Sequence, residues 1–399
     1  LNRQSLQSMP AGLLSSSETQ PWARRRRRAS DDACVTHASR VLLRSCCSRG
    51  AANFFIFMIA VCVLVYIYVF FAESRVVIDD QYLKAVPDDP QKALETFTQH
   101  EIARMCSSDQ KTCFRVVDSV VPDRPSTEVR RELFTEGAGE GDSETAVWLL
   151  PPYPSMSFSE SDTRFWTVDH SRVMNAYVGA LAVAPFVLGP VPLIEKNPYA
   201  RPPFKIISIG LGGGNLDMFW AGLKRNLKIT VVEMEEAVVN VAHEWFGVKE
   251  TEERSTVVGD GIRYLKEAKA KGDKFDVVVV DACDLDASRP CPARAFLQPS
   301  TIEAIESVLS PEGIAVVNVL PFGDTPGVLV DEVVNQLQRV LNACVRLSVL
   351  HEVNVVVTCS RKSIPQSRDT AQFLQSRLSA AFSTFKLDNV IEKVEFPMK

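Results

Sequence analysis

Short apolar runs alternate with amphipathic stretches between residues 203 and 365, and this pattern limits the fold more than any other feature. Stretches of helical period separate five apolar runs at residues 205–210, 228–233, 255–258, 275–281 and 313–319. Strands that alternate with helices of about 10–15 residues form a parallel sheet covered on both faces. Two more runs, at 345–350 and 353–359, have no helix between them and predict an antiparallel closing hairpin. The predicted fold class is therefore α/β, with a Rossmann-like, mostly parallel sheet.

A glycine-rich loop follows the first predicted strand. Residues 210–214 read Gly-Leu-Gly-Gly-Gly and lead into a helix. Glycine permits a tight turn and a close approach of a ligand to the backbone, and ligands of such sheets bind beyond the carboxyl ends of the strands. The dinucleotide fingerprint requires a third glycine where this chain has Asn215, so the loop disfavours NAD.

Carboxylates end or follow the next three strands. Glu233 ends the second strand, where it can accept both ribose hydroxyl protons, and Asp260 follows the third, where it can bond an adenine amino group. Asp281 ends the fourth strand, and Asp284 lies three residues later. Each acid alone is explained equally well as a solvated surface residue. Together with the loop, and in this order, they predict a site for a cofactor that contains ribose and adenine.

These motifs resemble the spermidine synthase-like class of S-adenosylmethionine-dependent methyltransferases. The resemblance covers residues 165–360 and rests on GLGGGN, VVEMEEAVVNVAHEWFG, VVGDGIRYL, FDVVVVDACD and LSPEGIAVVNV. Within the class, residues 245–247 and 291–296 are most similar to the methyltransferase-like 13 group. The resemblance implies a class I methyltransferase sheet, S-adenosylmethionine as cofactor, and an amine of a protein or small molecule as methyl acceptor. The cofactor contacts it implies are Gly210, Gly212 and Gly214 at the methionine part, Glu233 at ribose, Asp260 and Gly261 at adenine, and Asp281.

Two carboxylates are the candidate catalytic residues, Asp281 and Asp284. An amine nucleophile must arrive neutral, and a nearby carboxylate can take its proton or orient it. A loop cap combined with a cofactor contact explains the same two residues equally well.

Two other functions stay open. Aminopropyltransferases of the same class carry a GGGDGG loop and a D-x-x-D-P motif. This chain has Asn215-Leu216 in the first and lacks the proline after Asp284 in the second. Spermidine synthesis is therefore the first alternative, and a non-catalytic binding module is the second.

Several further residues are candidates for the pocket, but a structural role explains them as well. His170, His351, Trp166 and Phe296 are candidate pocket residues, although packing explains each as well, and Cys283 is interpreted as a packing residue. The ten cysteines show no zinc-site spacing, and five histidines make a histidine-built metal centre improbable.

Residues 54–72 carry no charge and are long enough to cross about 30 Å of hydrocarbon as a helix. Five consecutive arginines, residues 24–28, precede this segment, and Glu73, Arg75, Asp79 and Asp80 follow it. The positive-inside rule then predicts a type II signal anchor, with a cytosolic N-terminus and a lumenal or extracellular catalytic domain. A cofactor made in the cytosol would have to reach that domain, so the opposite orientation stays an alternative.

The charge balance of the chain limits which partners it can bind. Beyond residue 71 the chain carries 35 basic and 46 acidic side chains. This balance disfavours nucleic acid and suits a cationic substrate, although acidic surfaces are often simply solvated. A second copy of the chain is a further candidate partner. Cys106 and Cys113 can pair if their compartment is oxidising.

The predicted organisation has six parts. It consists of a disordered Arg/Ser-rich tail (1–50), the transmembrane anchor (51–72), a stem with a short helix around residues 90–105 (73–110), a small β element followed by a helix at 169–188 (111–202), the cofactor-binding Rossmann-like domain (203–365) and a C-terminal helical extension (366–399).

Overall fold

A computed structural model describes residues 98–121, 128–137, 143–194, 201–284, 291–321 and 326–397. The predicted tail, residues 1–50, and the predicted membrane anchor, residues 51–72, lie outside these ranges. Within the described ranges, no helix is long and apolar enough to cross a membrane.

The N-terminal part of the described chain is an antiparallel sheet of five strands, paired in the order of the sequence. Its strands are β1 (Gln99–Cys106), β2 (Cys113–Val120), β3 (Val129–Thr135), β4 (Thr145–Leu150) and β5 (Thr167–Val168). The predicted small β element is therefore present, but it begins earlier than predicted. The stem prediction is wrong for residues 99–106, because Ile102 and Met105 pack toward the core from a bulged edge strand rather than from a helix.

A disulfide joins Cys106 to Cys113 at the end of the β1–β2 hairpin. The two residues face each other directly in the antiparallel register. The predicted pairing of these cysteines is thus present in the structure.

The second sheet has eight strands in the order β13-β11-β12-β10-β9-β6-β7-β8. The strands are β6 (Phe204–Ile209), β7 (Leu227–Glu233), β8 (Arg254–Val258), β9 (Phe275–Val280), β10 (Leu309–Val319), β11 (Ala343–Val349), β12 (Val355–Ser360) and β13 (Ile391–Glu395). The five strands from β10 to β8 are parallel, whereas β12, β11 and β13 pair in the antiparallel sense. The α/β fold, its mostly parallel sheet and its closing hairpin are confirmed.

Seven helices accompany the two sheets in the described ranges. They are α1 (Ala176–Val187), α2 (Asn215–Gly222), α3 (Glu236–Trp245), α4 (Gly261–Lys271), α5 (Pro299–Val308), α6 (Pro326–Gln338) and α7 (Arg368–Phe385). Alternate residues of the central strands enter opposite cores. Ile206 packs with α1, α2 and α7, while Ile207 packs with α4, α5 and α6. Burial on both faces explains why these strands are continuously apolar, since each such side chain contributes about 1.5–3 kcal/mol relative to exposure.

Two predicted helical segments differ from the structure. The segment 169–188 becomes helical only at Ala176, where the Glu352 carboxylate accepts from the backbone N–H groups of Ala176 at 2.6 Å and Tyr177 at 2.7 Å. A cap supplied from so far along the chain leaves no local signal. The C-terminal extension is helical only through Phe385; its end forms β13, which pairs with β11 at the sheet edge.

A buried arginine joins the small sheet to the large domain, which form one compact unit. Arg131 of β3 binds Asp118 through two hydrogen bonds of 2.7 and 2.8 Å, and both side chains are buried. The same guanidinium donates to the backbone carbonyls of Trp245 at 2.6 Å and Thr163 at 2.9 Å. The contact with Trp245 fixes the small sheet against the end of α3, above the carboxyl ends of the parallel strands.

Candidate active site

The glycine loop and the end of the fourth parallel strand meet at the centre of the sheet. Strands β6 and β9 are neighbours, and connections leave them toward opposite edges, which is where such sheets bind ligands. Gly210 follows β6 with φ +98°, and a Cβ there would lie 2.1 Å from the Asp281 carbonyl oxygen. The Asp281 amide in turn donates to the Ile209 carbonyl at 2.9 Å. Only glycine allows this contact, so the first glycine is required by the backbone itself.

The rest of the loop packs against the small sheet. Gly212 and Gly214 both have positive φ, +51° and +72°. A Cβ on Gly212 would lie 2.4 Å from the Thr145 hydroxyl, and that hydroxyl accepts from the Gly213 N–H at 3.0 Å. The small sheet therefore sets the conformation of the loop that is predicted to bind the methionine part of the cofactor.

Asn215 begins α2 and is 4% exposed. Its Nδ2 donates to the Ala146 carbonyl at 3.2 Å, while its Oδ1 is buried and has no hydrogen-bond partner in the described part of the chain. A carboxylate could not replace the amide here without facing the carbonyl oxygen of Ala146. The asparagine that departs from the aminopropyltransferase loop is thus held by the small sheet, and the residue lines a cleft together with Thr145, Tyr177, Gly210 and Asp281.

Glu233, the last residue of β7, binds the glycine loop that follows β6. Its two carboxylate oxygens accept from the Leu211 N–H and the Glu235 N–H, both at 2.9 Å. Burial raises the pKa of Glu233, while these backbone hydrogen bonds oppose the shift. Each oxygen keeps a second lone pair for another donor. The predicted ribose contact is therefore compatible with the geometry, and the same side chain also shapes the loop.

Asp260 caps helix α4. Its Oδ1 accepts from the Ile262 N–H at 2.8 Å and the Arg263 N–H at 3.4 Å, and the side chain is exposed. Gly261, the first helical residue, packs so closely on β6 that a Cβ would lie 2.4 Å from Ile209 Cγ2. Asp260 thus presents its other oxygen near the sheet edge, whereas Gly261 serves the packing of α4.

Two exposed apolar side chains lie beside these acids. Met234 is 63% exposed and Val258 is 50% exposed. Val258 pairs directly with Glu233 in the register of β7 and β8, and Met234 is the next residue along the chain. The two residues therefore leave apolar surface exposed next to Glu233 and Asp260 in the chain.

Asp281 lies at the bottom of the cleft. Its Oδ1 accepts from Asn318 Nδ2 at 2.8 Å. Burial raises the pKa of Asp281 to about 6, and the Glu144 carboxylate adds to the rise. Tyr177, at the start of α1, lines the same cleft, and burial together with Asp281, Glu352 and Glu144 raises its pKa well above the ordinary value. The cleft therefore combines acidic groups with a phenol that stays protonated.

Asp284 and Asp281 have different hydrogen-bond partners. Its Oδ2 accepts from the Arg294 N–H at 3.0 Å, just before the part of the chain at 285–290 that lies outside the described residues. The interpretation of Cys283 as a packing residue is wrong, because it is exposed and forms a disulfide with Cys291. Arg294 lies three residues after Cys291, so the hydrogen bond to Asp284 and the disulfide join the same two short segments of the chain.

Four other predicted pocket residues fall outside the cleft lining. Trp166 and Phe296 are 4% and 7% exposed and belong to the apolar cores. His351 is exposed in the β11–β12 turn, with φ +62°. His170 lies beside Gly247, and burial lowers its pKa. Packing in the apolar cores therefore explains Trp166 and Phe296.

A buried ion pair lies under the loop. Asp217 of α2 accepts from Arg254 Nε at 2.6 Å, and their side chains are 3% and 0% exposed. Arg254 also donates to Glu250 at 2.7 Å. Burial raises the pKa of Asp217 to about 6 even though Arg254 opposes the shift. The pair ties α2 to β8 and so supports the loop from below.

The sequence alone did not identify Thr145, Tyr177, Asn318 or Asn354 as parts of this site. The only local signal was Asn318, a polar residue in the apolar run IAVVNV. Among the described residues, no cluster of three or more histidine, cysteine or acidic side chains could hold a metal ion.

Residues 201–319 match the spermine/spermidine synthase domain family. The eEF1A lysine and N-terminal methyltransferase of Danio rerio is 30% identical over 193 residues, covering 46% of this chain and 28% of that protein. The protein of the same name from Homo sapiens is 27% identical over 241 residues, covering 57% of this chain and 32% of its own length. The chain thus spans about three-tenths of the length of these relatives.

The solved structure of human methyltransferase-like protein 13 in complex with SAH is also similar. Its sequence is 26% identical, the superposition covers 53% of this chain and 91% of that chain, and the TM-score is 0.42. The resemblance predicted from the motifs is confirmed: residues 201–319 match the spermine/spermidine synthase domain, and the chain is similar to the eEF1A lysine and N-terminal methyltransferases.

Proposed function

We propose that this chain transfers the methyl group of S-adenosylmethionine to an amine, most directly an amine of a protein. The observation that carries the proposal is Asp281, a carboxyl group held beside Gly210 at the centre of the sheet, with its pKa raised to about 6. The named relatives are methyltransferases that act on a protein. The excess of acidic side chains beyond residue 71 suits an acceptor that arrives as a cation.

The strand ends fit the cofactor in three places. Glu233 offers lone pairs to the ribose hydroxyls, and Asp260 offers its second oxygen to an adenine amino group. Met234 and Val258 supply an apolar surface between them. Asn215 Oδ1 has no hydrogen-bond partner among the described residues, and we propose that it accepts from the ammonium group of the methionine part.

Asp281 is the proposed proton acceptor. When bound, the cofactor supplies a methyl group on a positively charged sulfur. The amine nitrogen would form the new N–C bond as the S–C bond broke with its electron pair going to sulfur, and the Asp281 carboxylate would take the amine proton. A pKa near 6 leaves Asp281 ionised at neutral pH and still able to hold a proton briefly. Tyr177 remains a neutral hydroxyl donor at the cleft wall.

Asn215 favours methyl transfer over aminopropyl transfer. A polyamine aminopropyltransferase of Vibrio vulnificus is 32% identical, but over only 80 residues, or 20% of this chain. The Asn215 amide donates to Ala146, a bond that a carboxylate cannot make. Position 215 therefore lacks the carboxylate that, in aminopropyltransferases, holds the amino end of decarboxylated S-adenosylmethionine.

The chemical test uses the full chain with S-adenosylmethionine carrying a labelled methyl group. Peptides with a lysine or a free N-terminus serve as acceptors, and the same peptides with acetylated amines serve as controls. Transfer of the labelled methyl group to the free amines alone would support the proposal. In parallel, decarboxylated S-adenosylmethionine and putrescine test the alternative: formation of spermidine, with no peptide methylation, would overturn the first choice.

We further propose that the domain lies on the lumenal or extracellular side of a membrane, anchored by residues 54–72. All six cysteines of the described residues are paired, namely Cys106–Cys113, Cys283–Cys291 and Cys344–Cys359. The other four cysteines of the sequence, at positions 34, 46, 47 and 62, lie on the N-terminal side or within the apolar segment. Disulfides persist in oxidising compartments, so this division supports the type II orientation. The proposal requires that the cofactor is delivered to that side.

Protease protection in sealed microsomes tests the orientation. The domain should resist digestion until detergent is added, while a tag at the N-terminus is removed without it. Digestion of the domain in intact vesicles would contradict the proposal. The homodimer remains a separate prediction, which sedimentation of the full chain would test.

A further inference from the structure

Asn318 is the direct partner of Asp281. It lies near the end of β10, is 3% exposed, and donates from Nδ2 to Asp281 Oδ1 at 2.8 Å. A buried amide in an apolar strand requires partners for both its nitrogen and its oxygen. The bond to Asp281 uses only the nitrogen.

The oxygen of Asn318 is bound by a second asparagine. Asn354, 9% exposed, donates from Nδ2 to Asn318 Oδ1 at 2.9 Å. This contact fixes which end of the Asn318 amide faces Asp281, because a reversed amide would place two NH₂ groups against each other. Asn354 belongs to the turn between β11 and β12, which also contains Glu352. Glu352 caps the start of α1, where Tyr177 lies.

We infer that Asn354 and Asn318 are positioning residues for Asp281, so that the β11–β12 turn holds the proposed proton acceptor in place. The inference rests on the proposed function for the meaning of Asp281, but the geometry of the three side chains stands independently. The hydrogen bonds run in one direction, from Asn354 to Asn318 to Asp281. A chain of this kind favours the ionised carboxylate, because a donor stabilises the charged acceptor.

The other groups that face Asp281 act in the opposite direction or stay neutral. Glu144, next to β4, raises the pKa of Asp281, and burial raises it more. Tyr177 of α1 stays protonated. Asn318 is the group that lowers the pKa, so its removal should leave burial and Glu144 unopposed.

The test measures the titration of Asp281 in the full chain by carboxyl ¹³C NMR with labelled aspartate. The Asp281→Asn variant assigns the signal. Asn318→Ala should raise the pKa by about one to two units, because the ionised carboxylate loses the hydrogen bond that stabilises it relative to the protonated form. Asn354→Ala should raise it by a smaller amount, and Asn318→Ser, which keeps a donor, should restore part of the wild-type value.

Asn342→Ala is the matched control. Asn342 lies at the opposite end of the same hairpin and donates to the Arg361 carbonyl. Its loss should leave the titration of Asp281 unchanged. If Asn318→Ala destabilises the fold, Asn354→Ala still tests the chain of hydrogen bonds. An Asp281 pKa that is unchanged in folded Asn354→Ala would overturn the inference, and so would an unchanged pKa in folded Asn318→Ala.

The acidic limb of the pH–rate profile for methyl transfer gives a second readout. It should move to higher pH by the same amount as the Asp281 signal. Because the NMR titration needs no acceptor, the two outcomes separate. A shifted pKa without any methyl transfer would refute the proposed function alone, whereas transfer without a shifted pKa would refute the positioning role alone.

Discussion

The cofactor half and the acceptor half of the cleft are built in different ways. Among the described residues, Glu233 and Asp260 bind only backbone N–H groups: Asp260 binds the first turn of α4, and Glu233 binds Glu235 and, in the adjacent glycine loop, Leu211. Asp281 depends on Asn318, and Asn318 depends on Asn354, which lies 36 residues further along the chain. The first half is built from strand ends and the second from long-range hydrogen bonds.

This difference indicates where specificity lies. In the cofactor half, the sheet topology places Glu233 and Asp260 next to backbone N–H groups at strand ends. These hydrogen bonds hold the two side chains with few other partners. The acceptor half uses contacts from β4, α1 and the β11–β12 turn, so its chemistry can change without a change in the sheet. Variants in the two halves should therefore affect different quantities: cofactor affinity in one and the rate of transfer in the other.

The largest expected effect is on the acceptor side. Asp281→Asn should lower methyl transfer by about 10²–10⁴-fold, because positioned acid–base groups contribute that much. Cofactor affinity, measured by calorimetry, should stay within about twofold of wild type. Asp276→Asn is the control, since Asp276 lies at the other end of β9 and binds Ser310 and the Lys205 backbone. Equal losses in both variants would show that the effect is structural.

The same substitution should raise stability at pH 8. Burial raises the pKa of Asp281 in the folded state to about 6, so the ionised carboxylate is disfavoured by folding above that pH. The asparagine removes this penalty. Thermal unfolding should show a higher Tm for Asp281→Asn at pH 8, and the difference should shrink as the pH falls through 6. A lower Tm at pH 8 would contradict the burial argument.

Methyl transfer should depend on pH in a way that cofactor binding does not. Below about pH 6 Asp281 becomes protonated and can no longer accept the amine proton. The rate should then fall about tenfold for each pH unit if a single group controls it. Cofactor affinity measured over the same range should change much less. A rate that is flat from pH 5 to 7 would remove Asp281 from the proton transfer.

A smaller effect is expected on the cofactor side. Asp260→Asn keeps an oxygen for the cap of α4 but places an NH₂ group where the adenine amino group would bind. Affinity for S-adenosylmethionine should fall about tenfold, the equivalent of one hydrogen bond of about 1.4 kcal/mol. Thermal stability should be nearly unchanged. If Asp260→Ala loses stability while Asp260→Asn binds normally, the residue is only a helix cap.

The smallest effect is expected at the contact between the small sheet and the glycine loop. Thr145→Val removes the hydroxyl that accepts from Gly213 and keeps the shape of the side chain. We expect affinity for the cofactor to fall about threefold to tenfold, because one buried N–H loses its partner. Thr145→Ser should retain most of the affinity. Equal affinity in all three proteins would separate the small sheet from cofactor binding.

The predictability of the site from the sequence follows the same division. Glu233, Asp260 and Asp281 could be identified because each ends or follows a strand whose apolar run is visible. Thr145 and Asn354 could not, since their roles depend on which strands become neighbours. The helical stem prediction failed for residues 99–106 because the local pattern allows either a strand or a helix, and pairing with β2 decides between them.

Calorimetric titration of the full chain with S-adenosylmethionine and with its decarboxylated form tests the central claim most directly. We expect saturable one-site binding of S-adenosylmethionine, weaker binding of the decarboxylated form, and loss of affinity in Asp260→Asn with little change in Asp281→Asn. Preference for the decarboxylated form would favour aminopropyl transfer. The absence of heat with both compounds would contradict the claim that this cleft holds the cofactor.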